Sequence, residues 1–163
     1  MSVLAVVKVI AILSSGVMAG ILFGDRMGAS FARPALPASS FVQFQQIQHL
    51  HFVRMMPILG LTALAAGLGW LILVRAQWNG VGFWLVALAT GEMVCAFALT
   101  LVVNIPINNQ LMTWNVPAPP GDLREVWSRW ERTHTVRTIL WLGAFALEVI
   151  ALGLFASHNA NIH

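Results

Sequence analysis

Charge is scarce in this sequence. Of 163 residues only 9% are Asp, Glu, Lys or Arg, 58% are hydrophobic, and the mean hydropathy is +0.78. That balance excludes an ordinary soluble domain and points to an integral membrane protein. Short alternating segments separated by turns are lacking too, which excludes a transmembrane β-barrel. With a single cysteine, Cys95, the chain can form neither an intrachain disulfide nor a cysteine-built metal cluster. Inside an apolar run, that thiol reads as a small buried hydrophobe.

What is present is apolar sequence in long blocks. Spanning the hydrocarbon takes about 20 apolar residues as a helix, and stretches near 3–24, 55–74, 80–103 and 138–157 meet that length. The predicted fold is therefore all-α: one transmembrane domain over 1–163, a four-helix bundle with helices at about 3–24, 40–75, 80–103 and 123–157. The N-terminal run is too long for the apolar core of a signal peptide and reads as a retained helix. A net charge of +3, with the basic residues at helix ends and in two loops, speaks for membrane topology and against nucleic acid as a partner. Loops near 25–51 and 104–137 fall on one side with Arg26, Arg33, Arg124, Arg129 and Arg132, and Arg54 and Arg137 sit at its boundary. The other side has Arg75 and the inward-lying Lys8. The positive-inside rule then puts both loops in the cytoplasm of a bacterial inner-membrane protein and both termini outside.

In the first helix Gly16, Gly20, Gly24 and Gly28 recur every fourth residue. Such a row lets a second backbone approach closely, either inside the bundle or across a homo-oligomer seam through Gly16, Gly20 and Gly24. Ser40 with Gln43 matches a capping box, so the second helix is expected to start there, protrude from the bilayer and bend at Pro57. Its protruding part carries Gln45, Gln46, His49, His51 and Arg54. His49 and His51 diverge by about 200° on one helix, so one ion cannot take both. A metal or haem site would combine one of them with His134; hydrogen-bonding or proton-transferring histidines are the simpler reading. Glu92 and Glu148 fall near mid-membrane, each either bonded to a neighbouring helix or lining a buried cavity.

The stretch from Asn104 to Arg137 holds most of the polar chemistry, with four prolines, four arginines and three tryptophans. Pro106 should end or kink the third helix, freeing Asn104 and Asn108 to cap its carbonyls or to face a ligand. Pro117, Pro119, Pro120 and Gly121 make a stiff turn, and Asp122 with Glu125 marks a new amphipathic helix from Leu123. Trp127, Trp130, His134, Arg137 and Trp141 then follow helical spacing.

The Gln-rich QFQQIQHLHFVRMMP stretch, the NIPINNQL exit of the third helix and the WSRWERTHTVRTIL start of the fourth together resemble the anthrone oxygenase-like family of small membrane proteins. The resemblance covers nearly the whole chain; its most specific part is Asn104, Pro106 and Asn108 followed by Trp127 or Trp130, His134 and Arg137. It implies a four-helix membrane bundle, some of whose fungal members oxidise polyketide anthrones to anthraquinones with molecular oxygen. Residue chemistry is compatible with that activity. His134 can act as a base, Asn104, Asn108 and Arg137 can hold an oxyanion, and Trp114, Trp127 and Trp130 can stack on an aromatic substrate. Capping asparagines and an interfacial tryptophan belt are the bland alternative.

Two functions follow as expectations. One is a monooxygenase-like oxidoreductase acting, without a cofactor, on a hydrophobic anthrone- or quinone-like molecule. The other is a non-catalytic membrane module binding a lipid, quinone, haem or metal at the same face. In either case the site is expected at the cytoplasmic boundary, with His49 or His51 and Arg54 beside Asn104, Asn108, Trp127, His134 and Arg137. The arginine distribution gives the first test: a reporter fused to the C-terminus should be active outside the cytoplasm, and a cytoplasmic signal reverses the topology.

Overall fold

The computed structural model describes residues 1–160, with side chains through Phe155. The chain terminus used for the topology test lies outside them. Five helices make the framework: α1 (Val3–Gly24), α2 (Ala38–Leu73), α3 (Val81–Leu99), α4 (Ile105–Met112) and α5 (Leu123–Ala160). Four continuous helical rods are long and apolar enough to cross a membrane, at 32 to 36 residues each. At 1.5 Å per residue they measure about 48–54 Å against a hydrocarbon core of about 30 Å. Charged side chains are concentrated at one end of the rods.

Neighbouring helices are antiparallel. The second packs on the first, the first on the fifth and the fifth on the third; the seam between α2 and α3 is the thinnest. Lipid offers no hydrophobic incentive for helices to associate, so close backbone approach does the work. Ala11, Ala19, Ala63, Ala89, Ala96, Ala144 and Ala151 are all buried at the contacts. Apolar packing falls into three tiers along the bundle axis: Trp70 and Val86 at one end, Met18, Met93 and Trp141 in the middle, and Phe41, Leu111, Trp114 and Trp127 at the charged end.

Several expectations need correction. The stretch after residue 24, expected as a loop, stays helical: a π-helical turn at Asp25–Ala29 and a 3-10 turn at Arg33–Ala35 extend α1. No proline interrupts the chain between Gly16 and Arg33, and ion pairing removes the penalty that the charges would otherwise carry. The helix expected to end or kink at Pro106 continues through an irregular turn. Pro106 lacks an N–H for the turn before it, and a wide π-helical turn at Thr100–Asn104 shifts the register so that the proline falls in the first turn of α4. The Ser40–Gln43 capping box is unused, because α2 starts at Ala38 with Pro37 as its N-cap. Cys95 is exposed on the lipid-facing side rather than buried.

As expected, the segment 40–54 is helical and continuous with the span; it packs on α5, where Phe41 meets Trp127 edge to face at 5.4 Å. Phe44 and Ile47 of the same segment stay exposed. In the glycine row the positions differ. A Cβ at Gly16 would stand 2.8 Å from the Phe145 ring of α5, whereas Gly20, Gly24 and Gly28 face open space. Gly16→Leu should therefore destabilise the detergent-solubilised protein by about 1–3 kcal/mol, as overpacking does. Gly20→Leu should leave the monomer's thermal midpoint unchanged; equal losses at both positions would put Gly20 inside an interface.

Candidate functional site

Between the middle tier and the tier at the charged end lies a cavity of about 160 Å³. Its walls come from every rod: Ile21, Leu22 and Asp25 from the first, Gln45, Gln48, His49, Phe52 and Met56 from α2, Thr100, Asn104 and Asn108 from the third, and Trp127, Trp130, His134 and Arg137 from α5.

The polar side of the cavity is built on a buried ion cluster. Arg33, 1% exposed, donates through Nη2 to Asp25 and at 3.1 Å to Gln48 Oε1, and through Nη1 at 2.9 Å to Glu131 Oε1. Gln48 Nε2 donates to Asp25 Oδ1 at 2.9 Å, while Ser30 Oγ and Trp127 Nε1 donate to Glu131 at 2.8 and 3.0 Å. The second Asp25 oxygen lies 3.2 Å from His134 Nε2. One guanidinium thus faces two carboxylates. In the tautomer that turns an Nε2–H toward Asp25, the buried Nδ1, which has no hydrogen-bond partner among the described residues, is an acceptor.

Asn104 is 1% exposed and caps nothing. Its Nδ2 reaches the Trp130 carbonyl at 3.4 Å, and its Oδ1 has no partner among the described residues. Arg137 lines the same cavity, and among the described residues it joins no ion pair. Trp127, Trp130 and His134 form a continuous stack along α5, with centroids 4.4 and 4.7 Å apart and planes within 16° and 19°. Trp130 is occupied on both sides by that stack. It therefore offers the cavity an edge and an unpartnered Nε1–H rather than the stacking face expected of it.

Of the residues expected at the site, His49, Asn104, Asn108, Trp127, Trp130, His134 and Arg137 come together around the cavity. Three do not. His51 and Arg54 are exposed outside it, and Trp114 belongs to the apolar tier above, where Gln46 donates to its carbonyl at 2.9 Å. The two mid-membrane acids lie off the cavity: buried Glu148 accepts from Ser15 of α1, and Glu92 packs against Gly143 of α5. Among the described residues no three His, Cys, Asp or Glu side chains are placed to hold one ion. Glu131 and His134 have the Glu-x-x-His spacing of di-iron bundles, but Arg33, Ser30 and Trp127 take up that carboxylate.

Sequence reasoning missed Asp25, Arg33, Gln48 and Glu131 as parts of the site. The usable signal was the absence of any helix breaker before Pro34, which carries Asp25 and Arg33 on one rod toward α5. Removing one member of a buried ion cluster strands the others, at a cost of about 3–5 kcal/mol. Arg33→Gln should thus lower the thermal midpoint sharply, and adding Asp25→Asn should restore part of the loss. Strictly additive losses in that double-mutant cycle would show that the two side chains are not coupled.

No curated protein and no solved structure matches the chain. A family model described as Anthrone oxygenase matches residues 44–147, a segment that supplies His49, Asn104, Asn108, Trp127, Trp130, His134 and Arg137 to the cavity. On that match, which spans more than half of its length, this four-helix membrane protein belongs to the anthrone oxygenase family.

Proposed function

We propose that the protein is a membrane-bound oxygenase that oxidises an activated CH₂ group of a hydrophobic, anthrone-like aromatic to a carbonyl with molecular oxygen, His134 acting as the base. One observation carries this reading: the His134 imidazole, the Arg137 guanidinium, which joins no ion pair among the described residues, and the buried Asn104 amide line a single cavity.

Nδ1 of His134 takes a proton from the carbon between the aromatic rings, giving a carbanion delocalised onto the carbonyl oxygen as an enolate. Arg137 and the amide groups of Asn104 and Asn108 supply donors for that oxygen. The enolate passes an electron to O₂, and the radical pair combines as a carbon-bound peroxide. Loss of the remaining C–H proton with cleavage of the O–O bond gives the carbonyl and water. One O₂ is consumed, with one oxygen atom in the product and one in water. The carbanion is itself the reductant of O₂, so the route requires no bound redox centre. A stoichiometric metal ion or chromophore in the purified protein would overturn that part of the proposal.

Cavity size constrains the substrate. An apolar cavity of about 150 Å³ accommodates benzene, so a space of about 160 Å³ encloses one ring of a fused system and leaves the others toward its opening. On the arginine distribution, the site lies at the cytoplasmic boundary of the bilayer.

With anthrone as substrate and oxygen uptake as readout, His134→Ala should lower turnover by about 10²–10⁴ with the fold retained, as loss of a general base does. Arg137→Ala and Asn108→Ala should weaken anthrone binding. Unchanged turnover in His134→Ala removes histidine from the mechanism. Binding without turnover in the wild-type protein leaves the non-catalytic module as the reading.

A further inference from the structure

The cavity lies just inside the charged end of the bundle. There it is roofed by the apolar tier of Phe41, Val42, Leu111, Trp114, Leu123 and Trp127. Gln46 Nε2 ties α2 to the carbonyls of Leu111 and Trp114 at 3.0 and 2.9 Å, so the roof is fastened to the second helix. Below the cavity, α2 and α3 close on each other. A Cβ at Gly60 would stand 2.7 Å from Phe97 Cζ, and one at Gly67 3.1 Å from Thr90 Oγ1. These contacts are seven residues apart on both helices, so the same antiparallel register brings Pro57 opposite Thr100, where the π-helical turn begins.

Both helices depart from regular geometry at that level. Pro57 has no N–H, so the Val53 carbonyl loses its usual helical donor, and the facing helix makes its π-helical turn at Thr100–Asn104. Most walls of the cavity are buried or half-buried. Exposed members are the apolar Val53 (50%), Pro57 and Ile105 (39%), on the two sides of this seam. Flanking them, Ile58 and Leu61 of α2 and Leu101 and Val102 before α4 are exposed as well, so the rim opens onto an apolar belt. Between the Gln46 tie and the Gly60 contact the seam runs about 21 Å along α2, ample height for an aromatic ring.

We propose that the seam between α2 and α3, rimmed by Val53, Pro57 and Ile105, is a lateral portal through which an aromatic molecule dissolved in the bilayer reaches His134. The choice of an aromatic rests on the proposed reaction; the direction of access rests on the placement of the roof, the floor and the rim.

The test separates the two. In lipid nanodiscs, with both membrane faces open and Cys95→Ala removing the native thiol, Met56→Cys places a reporter thiol on the cavity wall. N-phenylmaleimide, which partitions into lipid, should label it, and Val53→Trp with Ile105→Trp should slow that labelling at least about tenfold. The rate with the charged, water-borne sulfonatoethyl methanethiosulfonate should not change. If the double variant fails to assemble, Ile105→Trp alone is used, with the same sign expected. The portal is overturned if bulky rims leave maleimide labelling unchanged, if the charged reagent reacts as fast as the apolar one, or if neither reaches the thiol. Anthrone turnover in the same discs reports on the reaction alone: absent turnover with portal-dependent labelling would remove the oxygenase reading and keep the portal.

Discussion

The arrangement depends on burying one guanidinium. Taking Arg33 out of water costs several kcal/mol, and a single carboxylate in imperfect geometry does not offset that. Asp25 and Glu131 together do, helped by Gln48 and Ser30. These partners come from the extension of α1, from α2 and from α5, so the ion cluster is satisfied only when three rods are in register. A bundle held by shallow alanine contacts in lipid has little else to fix its sliding at the charged end. In this way the cluster does for the far end of the bundle what Gly16 against Phe145 does for the middle.

The same cluster sets the chemistry. Asp25 spends one oxygen on Arg33 and Gln48 and presents the other to His134. An imidazole with one nitrogen 3.2 Å from a fixed carboxylate is oriented by it, and here the ring lines the cavity. Stacking of His134 on Trp130, and of Trp130 on Trp127, removes the remaining freedom of the ring. Preorganisation of this kind leaves little reorganisation for the moment of proton transfer.

Composition and long apolar blocks were enough to read the membrane bundle, because lipid imposes a length and a hydropathy that few soluble sequences share. The roofing contact of Phe41 on Trp127 was legible for a similar reason, since a protruding helix with large apolar residues needs a partner. Asp25 and Arg33 were not legible. Hydropathy scores each charge separately and so ends the first span at Gly24, whereas the folded chain cancels the charges in pairs and lets the helix run on. Local rules also lost to tertiary ones at Ser40 and Gln43, where Pro37 starts the helix a turn earlier than the capping pattern suggests. Trp114, Trp127 and Trp130 could be assigned to one end of the bundle but not to roles. Whether an indole faces a substrate, a roof or another ring is decided by neighbours far away in sequence.

Pro57 and the π-helical turn before Pro106 connect the fold to its use. Either irregularity alone would be a tolerable flaw in a long helix, absorbed by a bend. Placed opposite each other in an antiparallel pair, they lie beside the cavity, while Gly60 and Phe97 keep the seam closed just below. The Asn104 amide and the Arg137 guanidinium line that cavity. Both reactants of the proposed oxidation, an aromatic and O₂, are apolar and concentrate in hydrocarbon. On the proposed reading a site at the bilayer boundary would meet them there, with its ion cluster toward the headgroups, where residual charge costs least.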